Sequence, residues 1–205
     1  MSARAAILAR VRTAQRTARL PTQNAERLAA RVRTPADTLA RFREELTTLG
    51  VENFVEDSPE AVGLRVQAFC EGKRVLAWDS AELPYRAGSI LASPIFGSRA
   101  RDEQASAEIG VTGCDGAVAE TGSLVLLSAK GRSRAVSLLP AVHLAIVRRD
   151  QIVFSMGEFF ARNTARMDAS PSCTFVTGPS RTADIELTLT LGVHGPGKLV
   201  VVIGP

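Results

Sequence analysis

Leu124-Val125-Leu126-Leu127 and Leu199-Val200-Val201-Val202-Ile203 are unbroken apolar runs. A strand with one wet face alternates apolar and polar residues. A short run without alternation belongs to a strand buried on both sides, as at the centre of a sheet covered by helices. Arg74–Trp78 and Val142–Val147 read as further apolar strands, and Cys173–Val176 reads as a strand entering a loop and a short helix. Helical stretches are expected between them over 100–108 and 157–166. Strands interleaved with helices make an α/β fold whose sheet is covered on both faces.

Upstream, the signals are helical. Thr34 is placed as an N-cap, with Pro35 at the first helical position and Asp37 at the capping-box position. Leu39, Phe42, Leu46 and Leu49 recur at helical spacing and Gly50 ends the run. A short strand, Val51 to Val55, follows. Ser58-Pro59-Glu60 opens a second helix that turns Val62, Val66 and Phe69 inward and stops before Gly72. Residues 3–19 form an Ala/Arg helix whose apolar stripe is little more than Ile7, Leu8 and Val11, ended by Leu20-Pro21-Thr22. Such a helix is marginal alone and needs a surface to dock on. The expected division is a basic helical arm over 1–33 and a single α/β domain over 34–205.

Composition narrows the function classes. The chain has 205 residues, 45% of them hydrophobic and 22% charged, an ordinary globular balance. No run approaches the roughly 18 apolar residues of a membrane-crossing helix, and the N-terminus lacks the apolar core of a secretory signal. Cys70, Cys114 and Cys173 are odd in number and far apart. They suit neither a disulfide framework nor a zinc or iron–sulfur cassette, and a reducing, cytoplasmic setting is expected. Residues 1–33 hold eight arginines against one acid, Glu26. With no aromatic residue there for bases to stack on, a helix covered by solvent or a partner is favoured over a nucleic-acid arm.

Three segments carry candidate chemistry. Gly110-Val111-Thr112-Gly113-Cys114-Asp115-Gly116-Ala117-Val118-Ala119-Glu120-Thr121-Gly122-Ser123 runs straight into the Leu124 strand. Its glycine spacing is neither a dinucleotide fingerprint nor a P-loop. It offers backbone N–H donors and hydroxyls at Thr112, Gly113, Thr121 and Gly122, and Glu120 as a base or nucleophile if partly desolvated. On residue types alone, tight turns and a Glu120–arginine pair stand first. In Gly131-Arg132-Ser133-Arg134, leading to Pro140-Ala141-Val142-His143, Arg132 could receive a carboxylate or phosphate, against a plain basic turn. His143 reads as a buried, hydrogen-bonded core histidine. In Thr177-Gly178-Pro179-Ser180-Arg181-Thr182-Ala183-Asp184-Ile185-Glu186, a helix beginning at Ser180 or Thr182 would gather Gly178, Ser180, Arg181 and Thr182 around an anion. Asp184 and Glu186 would then sit in its first turn. His194, in Leu191-Gly192-Val193-His194-Gly195-Pro196, is the better placed of the two histidines for acid–base work. No metal site is suggested by their spacing.

Segments 110–123, 137–143, 177–186 and 191–196 together closely resemble the LUD domain family, in its short, single-domain type. The resemblance is strong over 70–205 and weak over the first 50 residues. It implies a Rossmann-like three-layer α/β/α fold similar to the sugar-phosphate isomerase and CoA-transferase group. It also implies a role in oxidising L-lactate to pyruvate beside iron–sulfur partner proteins. In that fold group a Glu on a glycine-rich loop can be a nucleophile, which makes Glu120 a candidate although its flanking residues do not reproduce the group's motif.

Lactate oxidation needs an acceptor for two electrons, and the sequence shows no nicotinamide, flavin or metal signature. No cofactor is therefore expected in this chain, and iron–sulfur clusters are expected on its partners. The chain itself would bind a small carboxylate, with Arg181 on the carboxylate and Glu120 or His194 as acid or base. The alternatives are a non-catalytic assembly subunit docked through the basic arm, or a stand-alone transferase or isomerase acting on an acyl-CoA or sugar phosphate.

Overall fold

The computed structural model describes residues 2–17, 37–183 and 189–205. Its first helix, α1 (Ala3–Thr17), leaves Ile7, Leu8 and Val11 exposed. Helix α2 (Thr38–Thr48) begins at Asp37, whose carboxylate accepts the Ala40 N–H at 2.8 Å. Asp37 is thus the N-cap itself and not the third residue of a capping box. Thr34, Pro35 and the break at Leu20-Pro21-Thr22 lie outside the described residues, as do Glu26 and Asp184 to Glu186. Strand β1 (Glu52–Val55) leads to α3 (Pro59–Cys70), capped as expected by Ser58, which accepts the Ala61 N–H at 3.1 Å.

The chain then forms β2 (Val75–Ala77), two 3-10 turns over 80–89, β3 (Ile95–Phe96), α4 (Arg101–Ala105) and β4 (Ile109–Thr112). Helix α4 is shorter than the expected 100–108. Next come β5 (Gly116–Val118), β6 (Ser123–Leu127), a 3-10 turn at Arg134–Ser137, β7 (Val142–Arg148) and β8 (Ile152–Val153). Helix α5 (Met156–Asp168), β9 (Cys173–Val176), β10 (Arg181–Ala183), β11 (Leu189–Leu191) and β12 (Lys198–Gly204) complete it.

Among the described residues, six strands form a wholly parallel sheet in the order β1-β12-β7-β4-β2-β3. The apolar runs of β12 and β7 occupy its interior, where every residue from Leu144 to Val147 and Val200 to Ile203 is fully buried. The α/β class and the parallel sheet are as the apolar runs require. The run Leu124–Leu127 does not belong to this sheet. It lies in a second one, β8-β5-β6-β9, antiparallel to both its neighbours. Leu124 and Leu126 join the core of the parallel sheet, while Val125 packs with Val118, Val153 and Phe159 of α5. An unbroken apolar run reports burial on both faces, and burial between two layers writes the same signature as burial inside a parallel sheet.

Close contact between elements fixes one glycine. A Cβ on Gly110 would stand 1.9 Å from the Val136 carbonyl oxygen, so only glycine lets the 134–137 turn lie on β4. The expected helix at Ser180 or Thr182 is absent. The chain instead forms a β10–β11 hairpin with Arg181 opposite Leu191 and Ala183 opposite Leu189. Pairing with Leu189–Leu191 holds Arg181 to Ala183 extended, and this strand partner outweighs the cap-like Ser180 and Thr182.

Candidate functional site

Residues from three of the four segments that carry the sequence pattern, 137–143, 177–186 and 191–196, line one cavity, and 110–123 supports it from behind through Thr112 and Ser123. His143 enters at the start of β7 and Leu199 beside it on β12. The second sheet supplies Thr174 to Thr177, and the loops around Ser180 and His194 close the rim of a cavity of about 270 Å³. Those two loops are braced by backbone bonds: Ser180 N–H donates to the Pro196 carbonyl, and Gly192 N–H to the Ser180 carbonyl, both at 2.9 Å. Both histidines line this cavity, a convergence their sequence spacing gave no reason to expect.

His143 is 1% exposed. Burial pushes its imidazole down to about 4, so it is neutral at physiological pH. Its Nε2 lies 2.9 Å from the Thr112 hydroxyl. That hydroxyl is fully buried, and the imidazole is the partner recorded for it. A buried hydroxyl proton needs an acceptor, so Thr112 donates to Nε2 and the ring proton is assigned to Nδ1. Nδ1 has no protein partner among the described residues. A buried N–H without a protein acceptor costs on the order of 1–3 kcal/mol, and such a group beside a cavity marks a place where something else supplies the acceptor.

A hydroxyl chain runs from the glycine-rich loop to the cavity wall. Thr121 and Ser123 are linked at 2.8 Å, and Ser123 and Thr177 at 2.7 Å. Gly122, between the first two, has φ +65°, and a Cβ there would press on Leu49 at 2.9 Å. The turn that presents the chain therefore requires glycine. Glu120 stands just before it and accepts the Met156 N–H at 3.0 Å, at the first residue of α5. A carboxylate at a helix N-terminus is favourably placed, and in this arrangement Glu120 positions α5 without lining the cavity.

The remaining expected site residues are distributed as follows. Gly178 and Ser180 line the cavity with His194, which is exposed at its rim. Arg181, beside Ser180, turns away and donates to the Leu49 carbonyl at the end of α2 at 2.5 Å. Thr182 lies in β10 and not at a helix N-terminus. Thr112 supports His143 from within the core. Gly113 and Arg132 belong to a different cleft, where Arg132 donates to Asp115 at 2.7 Å and to Glu82 at 2.5 Å. Among the described residues, no Arg or Lys lines the His143 cavity, and no group of three or more His, Cys, Asp or Glu is placed to hold a metal. The three cysteines are free. Burial pushes the Cys70 thiol up to about 11 and that of Cys114 higher still, so neither is a ready nucleophile.

His143 is, as expected, a buried and hydrogen-bonded core histidine, but sequence reasoning ranked a catalytic part for it second and did not single out Thr177. The signal was in the pairing: the Thr112 and His143 segments both carry the pattern, and parallel strands β4 and β7 set Gly110 opposite His143.

A family model described as the LUD domain matches residues 29–203. Lactate utilization protein C of Shouchella clausii is 37% identical over 143 residues, 64% of this chain and 62% of that protein. The protein of the same name from Bacillus licheniformis is 42% identical over 137 residues, 65% of this chain and 51% of that protein. The chain thus matches between about half and three fifths of the length of these curated relatives. Among solved structures, a DUF162 family protein from Deinococcus radiodurans has a TM-score of 0.66 at 26% identity, covering 85% of this chain and 100% of that one.

Proposed function

The chain belongs to the LUD domain family, and from that premise we propose that it acts in L-lactate utilisation, binding a small 2-hydroxy or 2-oxo acid in the cavity beside His143. The observation that carries the reading is the buried Nδ1 of His143, which has no protein partner among the described residues and whose ring lines a cavity walled by Thr177, Ser180 and His194. The hydroxyls of Thr177 and Ser180 would meet the carboxylate, and a small opening at the His143 ring would let Nδ1 donate to the 2-oxo or 2-hydroxy oxygen. Ser123 and Thr121, in line behind Thr177, would orient its hydroxyl. His194 would be the acid or base. Oxidation of lactate to pyruvate releases two electrons and two protons, and in this reading the electrons pass to iron–sulfur partner proteins in the cytoplasm. Residues 34–205 would form the binding domain and 1–33 an arm.

The test is thermal shift of the full chain with L-lactate and with pyruvate at tens of millimolar. Stabilisation grows with the ratio of ligand concentration to Kd, so weak binding registers. A shift with either acid that disappears in His143→Gln supports the reading, and Thr112→Val should weaken it. No shift with either acid overturns it.

A second reading has its own observation. Helix α1 exposes Ile7, Leu8 and Val11 among its arginines, which suits a subunit docked onto an acidic iron–sulfur partner without catalysing anything itself. That reading expects co-purification with such partners to be lost when residues 1–33 are removed, and retention of the partners would reject it.

A further inference from the structure

The opposite edge of the parallel sheet holds a second, larger cleft of about 480 Å³. From β2 the chain steps outward to β3 and then returns across β2 to β4. The carboxyl ends of β2 and β4 therefore flank the point where the strand order reverses, which is where open parallel sheets leave a crevice. Trp78 and Glu82 follow β2 into this crevice, Gly113 and Asp115 follow β4, and Arg148 ends β7. The cleft shares no lining residue with the His143 cavity.

Its cations are all arginines and they come from three directions. Arg132 enters from the segment after β6, Arg148 from β7, and Arg162 and Arg166 from successive turns of α5. Asp115 is the fixed point. Its side chain is 1% exposed, one oxygen accepts from both Arg132 and Arg166, and the other accepts the Leu127 N–H at 2.8 Å. One carboxylate thus aligns two guanidiniums, while Trp78 stacks 5.4 Å from that of Arg132. Glu82 also holds Arg132, at 2.5 Å, while the pairs of Arg148 and Arg162 each include an exposed member. Asp150, which holds Arg148, is 69% exposed, and Arg162 is 57% exposed in its pair with Glu158. Exposed pairs of this kind contribute about 0–1 kcal/mol, so a multivalent anion can displace them.

The rim is held under strain. Tyr85 and Arg86 follow Pro84 of the cleft wall and both adopt left-handed backbone, φ 56° and 55°. Two such residues cost on the order of 1–3 kcal/mol each and persist where their surroundings hold them. Here the Tyr85 hydroxyl donates to the Pro205 carbonyl at 2.5 Å.

We infer that this cleft binds a phosphate-class oxyanion through Arg148, Arg162 and Arg166, on a frame set by Asp115 and Arg132. A tetrahedral phosphate presents oxygens outside a single plane and accepts from several directions at once, which suits arginines that come from a loop, a strand end and a helix. Recognition is of the anion: Trp78 is 3% exposed and offers no face for a base to stack on.

The test is calorimetric titration of the full chain, at constant ionic strength, with inorganic phosphate, pyrophosphate and glycerol phosphate. Saturable binding of any of the three is expected, with Arg148→Gln and Arg162→Gln each weakening it about tenfold, the loss of one charge-assisted hydrogen bond. Binding of glycerol phosphate would assign the site to esters; binding of the free anions alone would assign it to free phosphate. Both variants replace half-exposed side chains, so folding is not at stake, and circular dichroism checks it. No saturable binding, or binding that both variants leave unchanged, overturns the inference. Neither result bears on the lactate titration, which reads a different cavity.

Discussion

His143 carries the clearest acid–base consequence. Its folded pKa of about 4 lies below the ordinary 6.5 because burial disfavours the cation. The unfolded chain therefore binds a proton as pH falls through 6.5 while the folded chain does not, and stability drops with pH until the folded ring protonates near 4. The full span of that loss is about 3 kcal/mol. Urea denaturation from pH 7 to 4 should show this slope, and His143→Gln should remove it; an unchanged slope would place the titration elsewhere. Asp115 offers a second residue-scale prediction. Asp115→Ala takes away the acceptor of the Leu127 N–H and the shared partner of Arg132 and Arg166. The arginines are part exposed and regain water, so the expected cost is about 2 kcal/mol by urea denaturation, carried mostly by the stranded N–H.

Packing between elements decides what sequence can say. Helix α3 was legible because Ser58 and Pro59 act through neighbouring backbone alone. The β10–β11 pairing was misread because Ser180 and Thr182 fit a helix cap equally well, and the partner that settles the matter, Leu189–Leu191, lies further along the chain. The placement of β6 was not legible, since its residues report burial and not the identity of their neighbours. Gly178, Ser180 and His194 could be read from their Gly-rich loops, but Thr112 and His143 are 31 positions apart and meet only through strand pairing. The tightest contact between elements supplies a prediction. In Gly110→Ala the new methyl would overlap the Val136 carbonyl, separating the 134–137 turn from β4. Overpacking of this kind costs about 3 kcal/mol, or prevents soluble expression, and thermal denaturation reads it. A variant as stable as the parent would show that the turn is free to shift.

For the whole molecule, the two candidate sites lie at opposite ends of one parallel sheet: His143 begins β7 and Arg148 ends it. A single rigid strand separates them, buried from His143 to Val147. The side chains of helix α1, where they are described, are exposed. Deleting residues 2–17 should therefore change the unfolding free energy by no more than about 0.5 kcal/mol. A larger loss would mean that the helix packs on the domain.

The position of β12 has a consequence for how the chain is made. Lys198–Gly204 lies between β1 and β7, near the end of the sequence yet inside the sheet. A ribosome delivering this protein from its N-terminus releases β1 and β7 long before the strand that joins them. Until then each presents an unpaired edge, the kind of surface on which nascent chains stick to one another. Closure of the sheet must wait until β12 has been made, so the two waiting edges have to be shielded for as long as that takes.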